Sequence, residues 1–337
     1  MRIADVLDNL TERSLTRSEA SDVFARLVSG NWSEIEVAGL LGALKARGES
    51  PEEIAGAAQA LREAALPFPR PDYRFADTCG TGGSTLGTLN VSTAVALVAA
   101  ELGLPVAKHG NRAVSSKSGS ADVLEAVGIR LDPPPEVARR CLDEVGVCFL
   151  FAPQYHAGVR HAMPVRRALA TRTIFNLLGP LANPARPPLQ IVGVYDPALC
   201  VPLAATLAML GAEAALVVHG DGLDEIALHG TTQAALYRDG RLSELELTPE
   251  AAGLARRPLD ALRGGEPADN AAALRALLAG NSNAAYHDAV AFNAGALAWI
   301  AGRHENLVEG VERVHDVLAS GRCNERLERW IEVSRDA

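Results

Sequence analysis

The sequence predicts an α/β protein: a small all-helical N-terminal domain followed by a larger α/β domain with a mostly parallel central sheet. Three observations carry this. Within residues 1–66 helix-start signals recur with no strand pattern between them. Pro67, Pro69 and Pro71 then make a stiff connector. Beyond Tyr73, short β-type runs alternate with Ala/Leu-rich helical stretches, the order a doubly wound sheet requires. At 337 residues the chain is long enough for about two domains.

Each element has a local reason. Thr16/Glu19, Ser33/Glu36 and Ser50/Glu53 match capping boxes, in which a hydroxyl and a carboxylate each satisfy a backbone N–H at the helix start. Pro51 takes the first helical position of the third. Gly30 and Gly48 close the preceding helices, and Ile35, Leu40, Leu41 and Leu44 recur at helical spacing. Candidate strands are 74–79, 104–108, 147–151, 190–195 and 214–219, made parallel by right-handed crossovers. Residues 160–187 interrupt the alternation. After Gly220 come short strand-like pieces around Asp239-Gly240, an Ala-rich helical run including 288–301, and a last amphipathic helix over 307–318.

Composition narrows the function. Hydrophobic content of 48% with 4% aromatics points to a core of Ala, Leu and Val, neither disordered nor fibrous. A net charge of −9 disfavours general nucleic-acid binding, although Lys108, Arg112 and Lys117 could make a local basic pocket for phosphates. Five scattered cysteines without CxxC spacing indicate neither a disulfide framework nor a zinc site, and suggest a reducing cytoplasm. The N-terminus lacks an apolar export segment, and the longest apolar run, 94–100, is too short to span a bilayer, so neither export nor membrane anchoring is expected.

Three stretches carry chemistry. KHGNRAVSSKSGSADVLEAVG, residues 108–128, lifts Lys108, His109, Asn111 and Arg112 off a predicted strand end, where open α/β sheets bind ligands. Ser115, Ser116, Ser118 and Ser120, with Gly119, then crowd hydroxyls and backbone N–H groups into a loop suited to phosphate. Ser120 is a plausible N-cap for a helix that Gly128 ends. A solvated serine turn is the competing reading, and the adjoining Lys, Asn, Arg and helix start favour the ligand.

DTCGTGG, residues 77–83, follows the first strand, and Asn90, Val91, Ser92 and Thr93 lead into a helix with Ser92 or Thr93 as cap. Its glycines let the backbone approach a pyrophosphate, while Asn90, Ser92 and Thr93 can donate to oxygens or ligate a metal. The loop lacks the Walker lysine and the dinucleotide spacing. Third, HGDGLDE, residues 219–225, places Asp224 and Glu225 side by side in a Gly-bent loop after an apolar strand. Such hard oxygen ligands suit Mg²⁺, against the competing reading of a solvated Asp-Gly turn.

Taken together, KHGNR…SSKSGSADVLEA, GTGG…NVST, DGLDEI, the segment from Phe149 to Pro184 and LAGNSNAAYHDAVAFNAGALAWIAG resemble the anthranilate phosphoribosyltransferases over nearly the whole chain. That family joins anthranilate to phosphoribosyl pyrophosphate in tryptophan synthesis. The resemblance implies a fold of the nucleoside phosphorylase/phosphoribosyltransferase type. Residues 1–67 and about 160–187 would form the helical, acceptor-side domain and dimer contact. Residues 73–159 and 188–337 would form the α/β domain that binds the donor and metal. It implies substrate contacts from Gly80, Gly83, Ser84, Thr88, Asn90, Val91, Ser92 and Thr93. Further contacts come from Lys108, His109, Gly110, Asn111, Arg112, Ala113, Val114, Ser115, Ser116 and Ser120. Arg166 would meet the anthranilate carboxylate with Asn111 as the other anthranilate contact, and Ser92, Asp224 and Glu225 would hold magnesium. No residue is assigned as an essential acid or base, and Lys108, Asn111 and Arg166 contribute position and charge. The implied state is a cytoplasmic homodimer without nucleic-acid or membrane partners.

Two departures stand out. Ser84-Thr85 replace the family's usual Asp-Gly, which puts the second of two expected Mg²⁺ ions in question. Tyr155, Ala157 and Gly158 differ from the usual HHPAM pattern and leave the acceptor pocket's shape open. A pyrimidine nucleoside phosphorylase and a non-catalytic nucleic-acid-binding relative are the alternative readings. The first would not need Asp224-Glu225 on a pyrophosphate-bound metal, and the second needs a basic surface that the −9 charge opposes.

Overall fold

Four helices open the chain: α1 (Ile3–Glu12), α2 (Arg17–Val28), α3 (Glu34–Arg47) and α4 (Pro51–Glu63). The computed structural model describes residues 2–82, 87–113 and 117–336. The three expected capping boxes start α2, α3 and α4, each with reciprocal hydroxyl and carboxylate bonds. Glu53 does more than cap. Fully buried, it also accepts from Leu15 N at 2.8 Å and pairs with Arg47, tying three segments of the bundle together.

The elements that follow are β1 (Ala76–Gly80), α5 (Val91–Glu101), β2 (Val106–Gly110), α6 (Ser120–Val127), α7 (Pro135–Val145), β3 (Val147–Phe151) and α8 (Ala152–Tyr155). Then come α9 (Met163–Leu169), α10 (Phe175–Leu181), β4 (Leu189–Gly193), α11 (Cys200–Met209), β5 (Ala214–Gly220), β6 (Thr232–Arg238) and β7 (Arg241–Leu247). Four helices close the described chain: α12 (Pro267–Leu278), α13 (Ala284–Ile300), α14 (Leu307–Ala319) and α15 (Arg322–Arg335).

Among the described residues, seven strands form one sheet in the order β3-β2-β1-β4-β5-β6-β7. The first five are parallel, as their alternation with helices requires, and the β5–β6 and β6–β7 pairs are antiparallel. The chain builds outward from β1 through β2 to β3, then returns to lay β4 and β5 on the other side of β1. Strand order therefore reverses between β1 and β4, the position at which open α/β sheets leave a crevice beyond the strand ends.

Alternate side chains of the central strands feed two cores. Leu189 and Ile191 of β4 and Leu216 and Val218 of β5 join the core with α5, α7 and α12–α15. Val192 of β4 and Ala215 and Val217 of β5 face the other way, into a core shared with α11 and the N-terminal helices. Residues 157–181 also lie in that second core, through Ala162, Val165, Ile174, Leu177, Leu178 and Leu181.

Several local expectations are corrected. Gly119, not Ser120, is the N-cap of α6, because the Asp122 carboxylate takes the capping bonds from Gly119 N and Ala113 N at 2.9 Å each. Asn90, not Ser92 or Thr93, precedes α5. The pieces around Asp239-Gly240 are two full strands, joined by a turn in which both residues have positive φ. The helix over 307–319 is not the last, since α15 buries Cys323, Leu327, Trp330 and Val333 against the same core. Among the described residues no helix is long and apolar enough to cross a membrane.

Candidate active site

At the carboxyl ends of β1, β4 and β5 the residues flanking the strand-order reversal converge. Gly80 and Gly193 are register partners there, and both must be glycine for the same reason. A Cβ on Gly80 would fall on the Asp224 carboxylate, and one on Gly193 on the Asp224 backbone. The two bare positions admit the 219–225 loop against the sheet end. Its bend is a two-residue turn, with Asp221 and Gly222 at φ 48° and 93° and mutual backbone bonds of 2.9 and 3.0 Å between Gly220 and Leu223. His219 braces the turn. Its Nδ1 lies 2.8 Å from the Val194 carbonyl and its Nε2 accepts from Gly222 N at 3.1 Å, so Nδ1 carries the proton. From α13, Asn293 pairs with both backbone groups of Ile226, at 3.0 and 3.1 Å.

The bend separates the adjacent carboxylates as expected. Asp224 Oδ2 accepts from Gly82 N at 2.9 Å, and Glu225 Oε1 from Ser92 N at 3.4 Å at the start of α5. Lys108, buried midway along β2, donates to the Thr78 carbonyl at 2.6 Å and to Ser92 Oγ at 3.2 Å. Thr78, Ser92, Asp224 and Glu225 line one cleft with Cys79, Gly80, Gly193 and Asn293, and Lys108 donates to two of these residues, Thr78 and Ser92. Burial, then repulsion from Asp224, pushes the Glu225 carboxyl up to about 8. Burial raises Asp224 as well. Beneath the cleft, Asp77 is fully buried and pushed up to about 6 by desolvation, against the pull of Lys108, Asn183 and the His109 N–H. Three carboxyl groups therefore share the field of one ammonium in a low-dielectric pocket, and a divalent cation would displace the Glu225 proton and offset the negative charge that results.

Asn90 ties the neighbouring loops. Its Nδ2 donates to the Ser118 carbonyl at 3.2 Å, its Oδ1 accepts from Asn270 at 2.8 Å, and its carbonyl accepts from the Tyr286 hydroxyl at 3.3 Å. Val91 and Thr93 are buried behind it, and Thr88 bridges to Arg263. Gly110 packs closely on Ser120 and Phe149. Asn111 is exposed, with its Oδ1 on Arg112 N at 2.8 Å.

The expected basic pocket is not assembled as a unit. Arg112 is held by Asp122 at 3.0 Å and Glu125 at 2.8 Å, and Lys117 faces Glu266 at 3.7 Å. The N–H groups of Ala113 and Gly119 are likewise engaged by Asp122. Of the three cations only Lys108 bonds to residues that line the cleft. Gly83, Ser84, Val114, Ser115 and Ser116 lie outside the described residues.

Arg166, on α9 in the helical layer, is half-buried with its guanidinium 5.2 Å from the Phe175 ring centre and 3.6 Å from Met163 Sδ. Among the described residues no carboxylate pairs with it, and burial lowers its pKa. His109 and His156 meet edge-on at 5.1 Å. Burial pushes them down to about 3 and about 4, so both are neutral at pH 7. His109 Nδ1 lies 3.0 Å from the Gly179 carbonyl, which leaves its Nε2 as the lone-pair nitrogen.

Sequence reasoning missed Asp77, Asn183, His219, Asn270, Tyr286 and Asn293. Asp77 and His219 stand within the DTCGTGG and HGDGLDE stretches, where their neighbours drew the attention. The others act on groups 67 to 196 residues away, which no local spacing announces.

The family comparisons agree with this architecture. Residues 3–65 match the helical bundle domain of a glycosyl transferase family, and residues 72–324 match its a/b domain. Fold and site thus define a two-domain glycosyl transferase. An anthranilate phosphoribosyltransferase of Sorangium cellulosum (strain So ce56) is 62% identical over 322 residues, 96% of this chain and 92% of the relative. The crystal structure of anthranilate phosphoribosyltransferase from Thermus thermophilus superposes with a TM-score of 0.93 at 46% identity, covering 98% of this chain and all of that one. The Saccharomyces cerevisiae enzyme in complex with PRPP and Mg gives 0.88 at 27% identity, covering 98% and 97%. The chain belongs to the anthranilate phosphoribosyltransferase family.

Proposed function

We propose that the protein transfers the phosphoribosyl group of 5-phosphoribosyl 1-pyrophosphate to the amine of anthranilate, giving N-(5-phosphoribosyl)anthranilate and pyrophosphate, a step of tryptophan biosynthesis. The observation that carries this reading is the convergence of Asp224, Glu225 and Ser92 in one cleft at the strand-order reversal, with Lys108 hydrogen-bonded to Ser92 behind it. Two desolvated neighbouring carboxylates and a hydroxyl suit Mg²⁺. Asp224, Glu225 and the Ser92 hydroxyl would hold it, and when bound it neutralises charge on the departing pyrophosphate. A second ion is an open place in this reading, since Ser84 supplies no carboxylate.

The chain's own groups do the rest by position and charge. Lys108 supplies a buried ammonium behind the cleft. Gly80 keeps the backbone bare where donor and acceptor meet, and the exposed Asn111 amide serves the acceptor side. Arg166, without a carboxylate partner among the described residues, offers its planar fork to the anthranilate carboxylate. The arylamine is neutral at pH 7. Its nitrogen lone pair bonds to the anomeric carbon as the bond to the pyrophosphate oxygen breaks, that electron pair leaves with pyrophosphate, and the nitrogen releases a proton to solvent. The ribosyl centre passes through oxocarbenium character, as in glycoside cleavage.

In this reading residues 1–67 and about 160–187 act as the acceptor-side domain, with 73–159 and 188–337 binding donor and metal. The same helical layer would make the homodimer contact. A cytoplasmic location fits the five free cysteines. Anthranilate fluorescence followed on addition of phosphoribosyl pyrophosphate and Mg²⁺ tests the reaction. The signal is expected to fall with turnover, and to stay constant in an Asp224→Asn, Glu225→Gln double variant that keeps its native circular dichroism. A constant signal in the natural protein, or turnover undiminished by EDTA, would overturn the reading.

A further inference from the structure

Behind the loop that carries Asp224 and Glu225, a second cluster of metal-ligating side chains joins two helices. His287 and Asp288 stand at the start of α13, and His315 comes from α14. The two imidazole rings lie 4.9 Å apart and tilted by 35°. Asp288 Oδ1 is 3.9 Å from His287 Nδ1 and 3.7 Å from His315 Nε2, and the three atoms all lie within 4.8 Å of one another. These separations are too long for hydrogen bonds. His315 Nε2 is buried and has no hydrogen-bond partner, which in a folded protein calls for an explanation.

The carboxylate is oriented for its neighbours. Arg257 donates through Nε and Nη2, at 3.0 and 2.9 Å, and both bonds go to Asp288 Oδ2. The other oxygen is left facing the two ring nitrogens. Outer-shell hydrogen bonding of this kind fixes metal-ligating carboxylates elsewhere. Among the described residues this is the one group of three or more His, Cys, Asp or Glu side chains so disposed.

We propose that His287, Asp288 and His315 form a binding site for one zinc-class divalent cation per chain, separate from the magnesium cleft. Two imidazoles and a carboxylate suit Zn²⁺, Co²⁺ or Ni²⁺, whereas Mg²⁺ prefers an all-oxygen octahedron. Tetrahedral zinc at about 2.0–2.1 Å from each ligand sets its donors roughly 3.4 Å apart, so closure needs the ligand atoms to approach by about 0.3 Å for the nearest pair and by up to about 1.4 Å for the widest. His287 and His315 keep 27% and 37% of their side-chain surface, which leaves room for solvent at the fourth position. Arg257 opposes the ion's charge, and Asp288 offsets it. The ion would clamp α13 to α14, and α13 also carries the Tyr286 and Asn293 contacts to the reacting cleft.

Calorimetric titration of the full chain with Co²⁺ in a large excess of Mg²⁺, with visible absorption read in parallel, tests the site. One Co²⁺ per chain with a ligand-field band is expected, together with a rise in melting temperature. His315→Gln and His287→Gln should each lose that band and the thermal shift while melting cooperatively without metal. The Asp224→Asn, Glu225→Gln variant should keep both. Absence of binding under excess Mg²⁺, equal binding by either histidine variant, or loss of binding in the carboxylate variant would each overturn the proposal.

Discussion

Lys108→Met tests whether one buried ammonium balances the site. The substitution keeps an unbranched side chain of similar length but removes a 2.6 Å bond to the Thr78 carbonyl and a 3.2 Å bond to Ser92 Oγ. It also leaves Asp77, Asp224 and Glu225 without their common cation. Removing one partner from a buried charged cluster costs about 3–5 kcal/mol, or roughly two to four decades in the folding equilibrium. The sign of the pH dependence follows from the carboxyls. Glu225 is pushed from 4.5 up to about 8 in the folded protein, and Asp77 from 3.8 up to about 6. Between its unfolded and folded values each group binds a proton in the folded state that the unfolded chain has released. Their stabilising contribution is complete below the unfolded values and is lost as pH rises through the folded ones. Without Lys108 those folded values climb further, so the variant's deficit should be greatest above about pH 8 and shrink toward about pH 5. Urea denaturation followed by circular dichroism in metal-free buffer reads this directly, and Mg²⁺ should restore part of the loss. Coincident midpoints above pH 8, or a deficit that grows on acidification, would refute the electrostatic account.

Three further outcomes follow from the site. Arg166→Ala should weaken anthranilate binding by about one to two decades, the loss of one charge-assisted pair, and leave donor affinity nearly unchanged; calorimetry showing the reverse would mean the two substrate sides are exchanged. Gly193→Ala, whose Cβ would fall on the Asp224 backbone, should cost about 1–3 kcal/mol and depress turnover by displacing the 219–225 loop, and a variant with native melting temperature and full activity would contradict the packing argument. Because Glu225 is pushed up to about 8, binding of Mg²⁺ with phosphoribosyl pyrophosphate near pH 7 should release about one proton. Binding enthalpies that do not vary with the ionisation enthalpy of the buffer would exclude Glu225 as its source.

Where the sequence was legible, the information was local. The capping boxes of α2, α3 and α4 and the Gly128 stop of α6 need only residues a turn apart, and all four appear in the fold. The same holds for the DG turn before Asp224, where two positive φ angles are written into an Asp-Gly pair. Long-range partnerships were hidden. Asn293 lies in a helix so evenly apolar that one amide reads as an incidental polar residue, yet it holds Ile226 from 67 residues away. Arg112 read as a phosphate ligand because its cationic head is visible in sequence, while its pairing with Asp122 and Glu125 depends on how α6 folds back over the loop. Strand β7 reads as a fragment because its polar/apolar alternation is confined to Glu244–Leu247, where Leu245 and Leu247 pack on the core, while Arg241 to Ser243 are exposed.

That same strand sets a limit on how copies of the protein can meet. β7 is an edge of the sheet, and an unpaired edge ordinarily invites another strand to dock along it. Here the edge carries Arg241, Glu244 and Glu246 across a short, solvent-facing run. A second copy pairing there in the antiparallel register centred on Leu245 would bring Glu244 opposite Glu246 and strip water from both. Charge thus opposes growth of the sheet along its β7 edge.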